Sequence, residues 1–183
     1  MNKIFLTLLL LGTVIFSNCN GDEPIVDEPK TKTNTQLLTE GEWQMVEGTI
    51  VPSIEIDIFG NITTISNYWD LLGAVNAGVI ADCDKDNRMI CQTDSNVVMD
   101  EGPSKCDAGD PQATDGGKWN FENNEKQLRF SSFPLDPTGE PRTLDVTLLT
   151  ATSLKLSMSY LFVNPLDSSN STHAINLEYA NKK

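Results

Sequence analysis

The chain has 183 residues, a formal net charge of −13 and an isoelectric point near 4.3. So acidic a surface repels phosphate backbones and anionic headgroups, which argues against nucleic acid as a partner and against electrostatic adhesion to a membrane. Hydrophobic residues make up 39% of the chain, enough to give one domain a real core.

The N-terminus reads as an export signal over residues 1–18. Lys3 is the only charge before Asp22, and the apolar run Ile4–Phe16 that follows it is too short to span a bilayer as a helix. The run ends in Phe16-Ser17-Asn18-Cys19, which resembles the lipobox of bacterial lipoproteins; Cys19 is then the lipid attachment point. Phe16 and Asn18 depart from the usual Leu and the usual Gly or Ala, and the alternative is an ordinary cleaved signal with an incidental cysteine. Residues 19–36 read as the lipidated Cys and a flexible acidic tether, because Asn20–Gln36 has two prolines, little apolar content and no periodicity. Gly21-Asp22-Glu23 resembles the acidic signal that carries some lipoproteins to the cell surface; a linker facing the periplasm is the other reading. Either way the expected location is the outer membrane, with the lipid as the only membrane contact. The mature chain keeps a charge near −14 once Lys3 is removed.

Residues 37–183 form the folding unit, about 147 residues long. Trp43 and Met45 begin a first strand after Gly41. One segment argues for a helix: Ser66-Asn67 caps Tyr68–Val75, where Tyr68, Leu71, Leu72 and Val75 share a face. From there period-two alternation dominates. Met89 and Cys91 lie in a strand-like stretch. Trp119 and Phe121 alternate with Asn120, and the chain turns at Asn123-Asn124 into Leu128 and Phe130. Leu144, Val146 and Leu148 share a face, as do Leu154, Leu156, Met158 and Tyr160, and then Ile175, Leu177 and Tyr179. One-sided alternation implies antiparallel sheet with one buried face, and seven to nine short strands with one short helix fit a closed barrel, which leaves no exposed edges.

Three cysteines remain beyond Cys19. An exported domain meets an oxidising compartment, so one disulfide with one thiol left over is expected. Cys83 and Cys106 flank loop-like sequence and make the better pair, while Cys91 suits a strand as a small core filler. Closing a loop of about 23 residues contributes about 3 kcal/mol in the chain-entropy model. Zinc is not expected, because no Cys-x-x-Cys occurs and the single histidine is distant.

Several of these residues together resemble a family. Leu37-Leu38-Thr39-Glu40-Gly41-Glu42-Trp43 resembles the Gly-x-Trp opening strand of lipocalins and of bacterial lipocalin-like lipoproteins. Cys83-Asp84-Lys85-Asp86-Asn87, the segment Asp100–Asp107 and Gly116-Gly117-Lys118-Trp119-Asn120-Phe121 with Leu128 resemble three further motifs of the lipoprotein group, in matching order over about residues 37–180. The resemblance implies an eight-stranded antiparallel up-and-down barrel plugged at the Trp43 end, with Cys83 paired to Cys106. It implies no particular ligand. Two positions depart from it: the last strand lacks the Arg usual in lipocalins, and Cys91 stands where the lipoprotein group carries an aromatic residue.

No catalytic constellation stands out. His173 is the sole histidine, and its parity with Ile175 makes it an end-of-barrel packing residue; there is no phosphate loop, Gly-x-Ser-x-Gly or His-Glu-x-x-His. Asp82, Asp84 and Asp86 imitate the start of a calcium loop, but Asn87 stands at the glycine position and Thr93 where a bidentate Glu belongs, so a solvated acidic turn is the reading taken. No cofactor is expected, and the protein is expected to be a monomer. The inward residues Trp43, Met45, Met89, Trp119, Phe121, Phe130, Met158, Tyr160 and Tyr179 are the ligand-lining candidates. The expected function is non-enzymatic: a barrel that binds or carries a small hydrophobic ligand in a cavity of a few hundred Å³, roughly the scale of such sites. The alternative is a side-chain-filled barrel that serves as a scaffold for functional loops, at 102–117 or 134–141.

Overall fold

The structure, a computed structural model, describes residues 31–58, 61–75, 80–133, 140–164 and 167–183. The signal segment, Cys19, the tether up to Lys30 and most of the 134–141 loop lie outside the described residues.

The described chain starts with a short helix, α1 (Asn34–Thr39). Its origin is a capping box: Thr33 Oγ1 accepts from the Gln36 backbone N–H at 3.2 Å, and Gln36 Oε1 accepts from the Thr33 N–H at 2.9 Å. The helix therefore takes in the last three residues of the expected tether, Asn34–Gln36. Polar Asn34-Thr35-Gln36 concealed the helix, whose one buried side chain is Leu38. Trp43 explains the Gly-x-Trp motif physically. Its indole is fully buried and donates to the Leu38 carbonyl at 2.9 Å, and a Cβ at Gly41 would collide with the ring.

Among the described residues nine strands follow: β1 (Trp43–Ile58), β2 (Asn61–Asn67), β3 (Arg88–Cys91), β4 (Asn96–Asp100), β5 (Ala113–Glu122), β6 (Gln127–Phe130), β7 (Arg142–Leu149), β8 (Ser153–Val163) and β9 (Asn170–Asn181). All pair antiparallel in one sheet. The ring β1-β3-β4-β5-β6-β7-β8-β9 closes on itself through β1 and β9, giving an eight-stranded barrel. β2 folds back on the outer half of β1 and pairs with no other strand among the described residues.

Closure is uneven. β8 and β9 pair over eleven positions, from Ser153↔Ala180 to Val163↔Asn170, whereas β1 meets β3 at two, Trp43↔Met89 and Gln44↔Arg88. The chain between β2 and β3 holds two further helices, α2 (Tyr68–Val75) and α3 (Asp82–Lys85), so three short helices occur among the described residues rather than one. Asn67 caps α2, its Oδ1 accepting from the Asp70 N–H at 2.8 Å. Tyr68, Leu71 and Leu72 are buried as the periodicity predicts, but Val75 is 52% exposed at the last position of the helix. Tyr68 lies close against Gly48, where a Cβ would come 2.6 Å from the Cβ of Tyr68 and 3.2 Å from Leu177. A side chain there would push α2 off the barrel.

One continuous core fills the barrel. It joins Leu38 and Trp43 at the α1 end to Leu154, Leu156, Ile175 and Leu177 on the long strands and to Ile54 and Ile65 beyond. At the β5–β6 hairpin the turn residues Asn123, Asn124 and Glu125 all adopt positive φ, the conformation that favours asparagine.

Candidate functional site

The short β1–β3 seam leaves a narrow throat into the barrel. Trp43, Met45, Met89, Met99, Phe133 and Tyr179 form its walls, and Trp69, Asp84 and Asn87 stand at its edge. The strands set this composition directly. Trp43↔Met89 and Met89↔Met99 are paired across β1, β3 and β4, and Met45 lies opposite Tyr179 on β9. A register irregularity between Met45 and Glu47 keeps both Met45 and Gly48 facing inward.

The throat holds about 10 Å³, roughly the limit for one water molecule. The cavity of several hundred Å³ expected from sequence is not what these side chains enclose. Seven of the nine candidate lining residues are buried and two, Phe121 and Tyr160, are half-buried; only Trp43, Met45, Met89 and Tyr179 reach the throat. The other five do different work. Trp119 donates its indole N–H to the Gln92 carbonyl at 3.0 Å and meets Phe121 edge-on at 5.7 Å. Phe130 packs on Phe133 at 5.4 Å, and Met158 and Tyr160 join the core along β8. Sequence reasoning missed Met99, Phe133 and Trp69. Met99 had a signal, since it alternates with Val97 on a short apolar strand.

Tyr179 is the exceptional wall residue. It is 1% exposed, and its hydroxyl finds no hydrogen-bond partner among the described residues. Burial, then the nearby Tyr68 and Cys91, push its phenol well above the usual range, so it stays un-ionised. Cys91 is fully buried on β3, and burial pushes its thiol up to about 12. Such a thiol is a core filler and a poor nucleophile.

The edge of the throat is stapled covalently. Cys83 on α3 and Cys106 are joined by a disulfide with Cα atoms 5.3 Å apart. Asn87 ties the same corner together, its amide donating to the carbonyls of Cys83 at 3.2 Å and Glu101 at 3.0 Å. Asp82, Asp84 and Asp86, read from sequence as a solvated acidic turn, form no joint cluster of ligand atoms among the described residues, and Asp82–Lys85 is a helical turn. Asp82 pairs with Lys85 at 3.0 Å, Asp84 accepts from the Ala81 N–H at 3.2 Å, and Asp86 Oδ1 is buried without a partner. Among the described residues, the metal-ligating groups that do cluster are Cys83, Asp84 and Cys106, and the disulfide occupies both sulfurs.

His173 is 4% exposed and is the one buried residue outside the apolar and aromatic set among those described. Its Nδ1 lies 2.7 Å from the Pro52 carbonyl, which only accepts, so in the neutral ring Nε2 accepts from the Ser171 hydroxyl at 2.6 Å. Phe162 meets the ring edge-on at 6.4 Å. A hydroxyl on one ring nitrogen and a carbonyl on the other is the relation a nucleophile and base share. Here both contacts also do a structural job, fixing β9 to the start of the outer half of β1. Sequence reasoning did not connect Ser171 to His173.

No protein-family model matches the chain, and no curated protein matches it in sequence. The class the fold itself defines is a closed eight-stranded antiparallel β-barrel with a disulfide at its seam.

Proposed function

We propose that this is a non-enzymatic lipoprotein of the lipocalin-like kind, anchored in the outer membrane through Cys19, whose barrel takes up a small hydrophobic molecule at the seam. The observation that carries the reading is the throat itself. It is walled by three methionines and three aromatic residues, one of them Tyr179, whose buried hydroxyl has no partner among the described residues. Methionine is unbranched and adaptable, so Met45, Met89 and Met99 are walls that move aside at low cost. The resemblance to lipocalin-like lipoproteins, the lipobox-like Phe16–Cys19 and the acidic spacer support the location. Native mass spectrometry of protein extracted from its membrane without denaturant tests the ligand: a recurrent co-purifying small molecule is expected, and its consistent absence defeats the reading. Cys19→Ser should abolish labelling by a fatty-acid analogue and release the protein from the membrane fraction.

A second reading has an observation in its favour. A throat of about 10 Å³ is what a side-chain-filled barrel shows, and the protein would then be a scaffold whose loops, 102–117 or 134–141, meet a partner. Replacing the exposed side chains of 107–112 by alanine, which leaves Cys106 and β5 in place, or substituting the 134–141 loop separates the readings, since ligand uptake survives in the first and partner binding is lost in the second. Labelling by a fluorophosphonate addresses the Ser171–His173 pair. No adduct at Ser171 is expected, and a stoichiometric adduct would make the protein an enzyme.

A further inference from the structure

We infer that Tyr179 is the polar anchor of the throat, and that the molecule it takes is uncharged, largely apolar, and carries one hydroxyl or carbonyl oxygen. This rests on the ligand-binding reading above and adds the chemical class.

The starting point is a hydroxyl that packing does not need. A phenylalanine would fill the same ring volume, yet β9 places a tyrosine there, fully enclosed, with its oxygen unpaired among the described residues. Leaving a buried hydroxyl unbonded is costly, and such groups are rare unless something else meets them. The other unpaired atoms, on Asp86, Arg88 and Ser153, belong to side chains that reach the surface; only Tyr179 is wholly interior. Its ring lines the throat.

Charge then selects the ligand. The buried residues include no lysine or arginine among those described. Arg88 faces the other side of β3 and holds Glu42 at 2.8 Å, and Lys85 holds Asp82. A carboxylate brought to Tyr179 would lose its water and find no cation, and it would have to pass Asp84 at the mouth. An ammonium group meets the opposite problem: Asp84 is exposed at the mouth, and no carboxylate lies beside Tyr179 inside. Burial keeps the phenol protonated, so it both donates and accepts. An alcohol or a ketone satisfies it, and the throat that Tyr179 lines has room for about one small polar group before its methionines move. The apolar remainder runs outward past Met45, Met89 and Met99 toward Trp69.

The test uses the full chain carrying Cys19→Ser, so that no acyl group at that position competes. Decane, 1-decanol, decanoate and decylamine are titrated, with tryptophan emission and native mass spectrometry as readouts; Trp43 and Trp69 both line the throat. Decanol should bind about tenfold more tightly than decanoate or decylamine. Tyr179→Phe should lower decanol affinity about fivefold to tenfold and leave decane unchanged. Its melting temperature without ligand should not fall. If decanoate or decylamine binds as tightly as decanol, or if folded Tyr179→Phe keeps its decanol affinity, this inference fails while the ligand-binding reading stands. If no member binds and Tyr179 holds an ordered water only, both fail. Should Tyr179→Phe not fold, the ranking of the panel on the unmodified throat decides alone.

Discussion

The two sides of the barrel are built differently. The wall made by β8, β9 and β1 is long, with eleven paired positions between β8 and β9 and eight between β9 and β1. On the other edge of β1 the neighbouring strand β3 has four residues and pairs with it at two positions. The long wall is held by backbone ladder and by buried leucine and isoleucine. The seam is held by Trp43, the Cys83–Cys106 disulfide and the Arg88–Glu42 pair, with Trp69 of α2 and Asp84 of α3 at the throat. Regular pairing leaves no way in, so the throat occurs where the ladder is shortest and the covalent staple sits beside it.

Trp43 is where the two sides meet, since it pairs with Asn181 on β9 and with Met89 on β3. Trp43→Ala removes a wholly buried indole and its bond to Leu38, and should cost about 3–5 kcal/mol in denaturant unfolding. The comparison breaks if that loss is no larger than a surface substitution.

Removing the staple should cost less and act locally. The Cys83→Ser/Cys106→Ser double variant loses a closed loop of 23 residues, about 3 kcal/mol in the chain-entropy model. Amide exchange should speed up across 82–106 and stay slow in β8 and β9. Uniform loss of protection would show that the disulfide supports the whole barrel and not the seam.

Cys91 sharpens the same contrast through pH. Its thiol is pushed up to about 12 in the folded chain, from an ordinary value of 9.0. Below pH 9 both states are protonated and the group adds no pH dependence. Above 9 the unfolded thiol ionises while the folded one does not, so stability falls by at most about 1.4 kcal/mol per pH unit until about pH 12. Cys91→Val should flatten that part of the slope. Alkylation of Cys91 at pH 8 should be undetectable with the disulfide intact and measurable once it is reduced.

The difference between the two sides also governs what could be read from sequence. Leu154, Leu156 and Met158, and Ile175, Leu177 and Tyr179, alternate cleanly because long strands in a one-sided sheet impose the period; those faces and the barrel class were legible. β1 was legible only at its start. The irregularity after Met45 shifts the inward set to Gly48 and Ile50, and a glycine carries no hydrophobic mark. β2 buries a single residue, Ile65, so its threonines and asparagines carry no period-two mark. The throat depends on which elements fail to pair, and periodicity does not report a missing ladder. That is why Trp69 and Phe133 were not anticipated.

The smallest effect belongs to the long wall. Lys155 and Glu178 face each other across β8 and β9 at 2.8 Å, with side chains 44% and 36% exposed. At that exposure solvent screens the pair, and its contribution should be about 0.3–0.5 kcal/mol, measured as the coupling term of a Lys155→Ala/Glu178→Ala cycle. Raising the salt concentration should shrink it further. The wall keeps its register through eleven ladder positions with or without this pair, so exchange protection in β9 should not change in either single variant. A coupling above about 1.5 kcal/mol, beyond the usual range for exposed pairs, would mean that the long wall, like the seam, leans on individual side chains, and the contrast between the two sides would no longer hold.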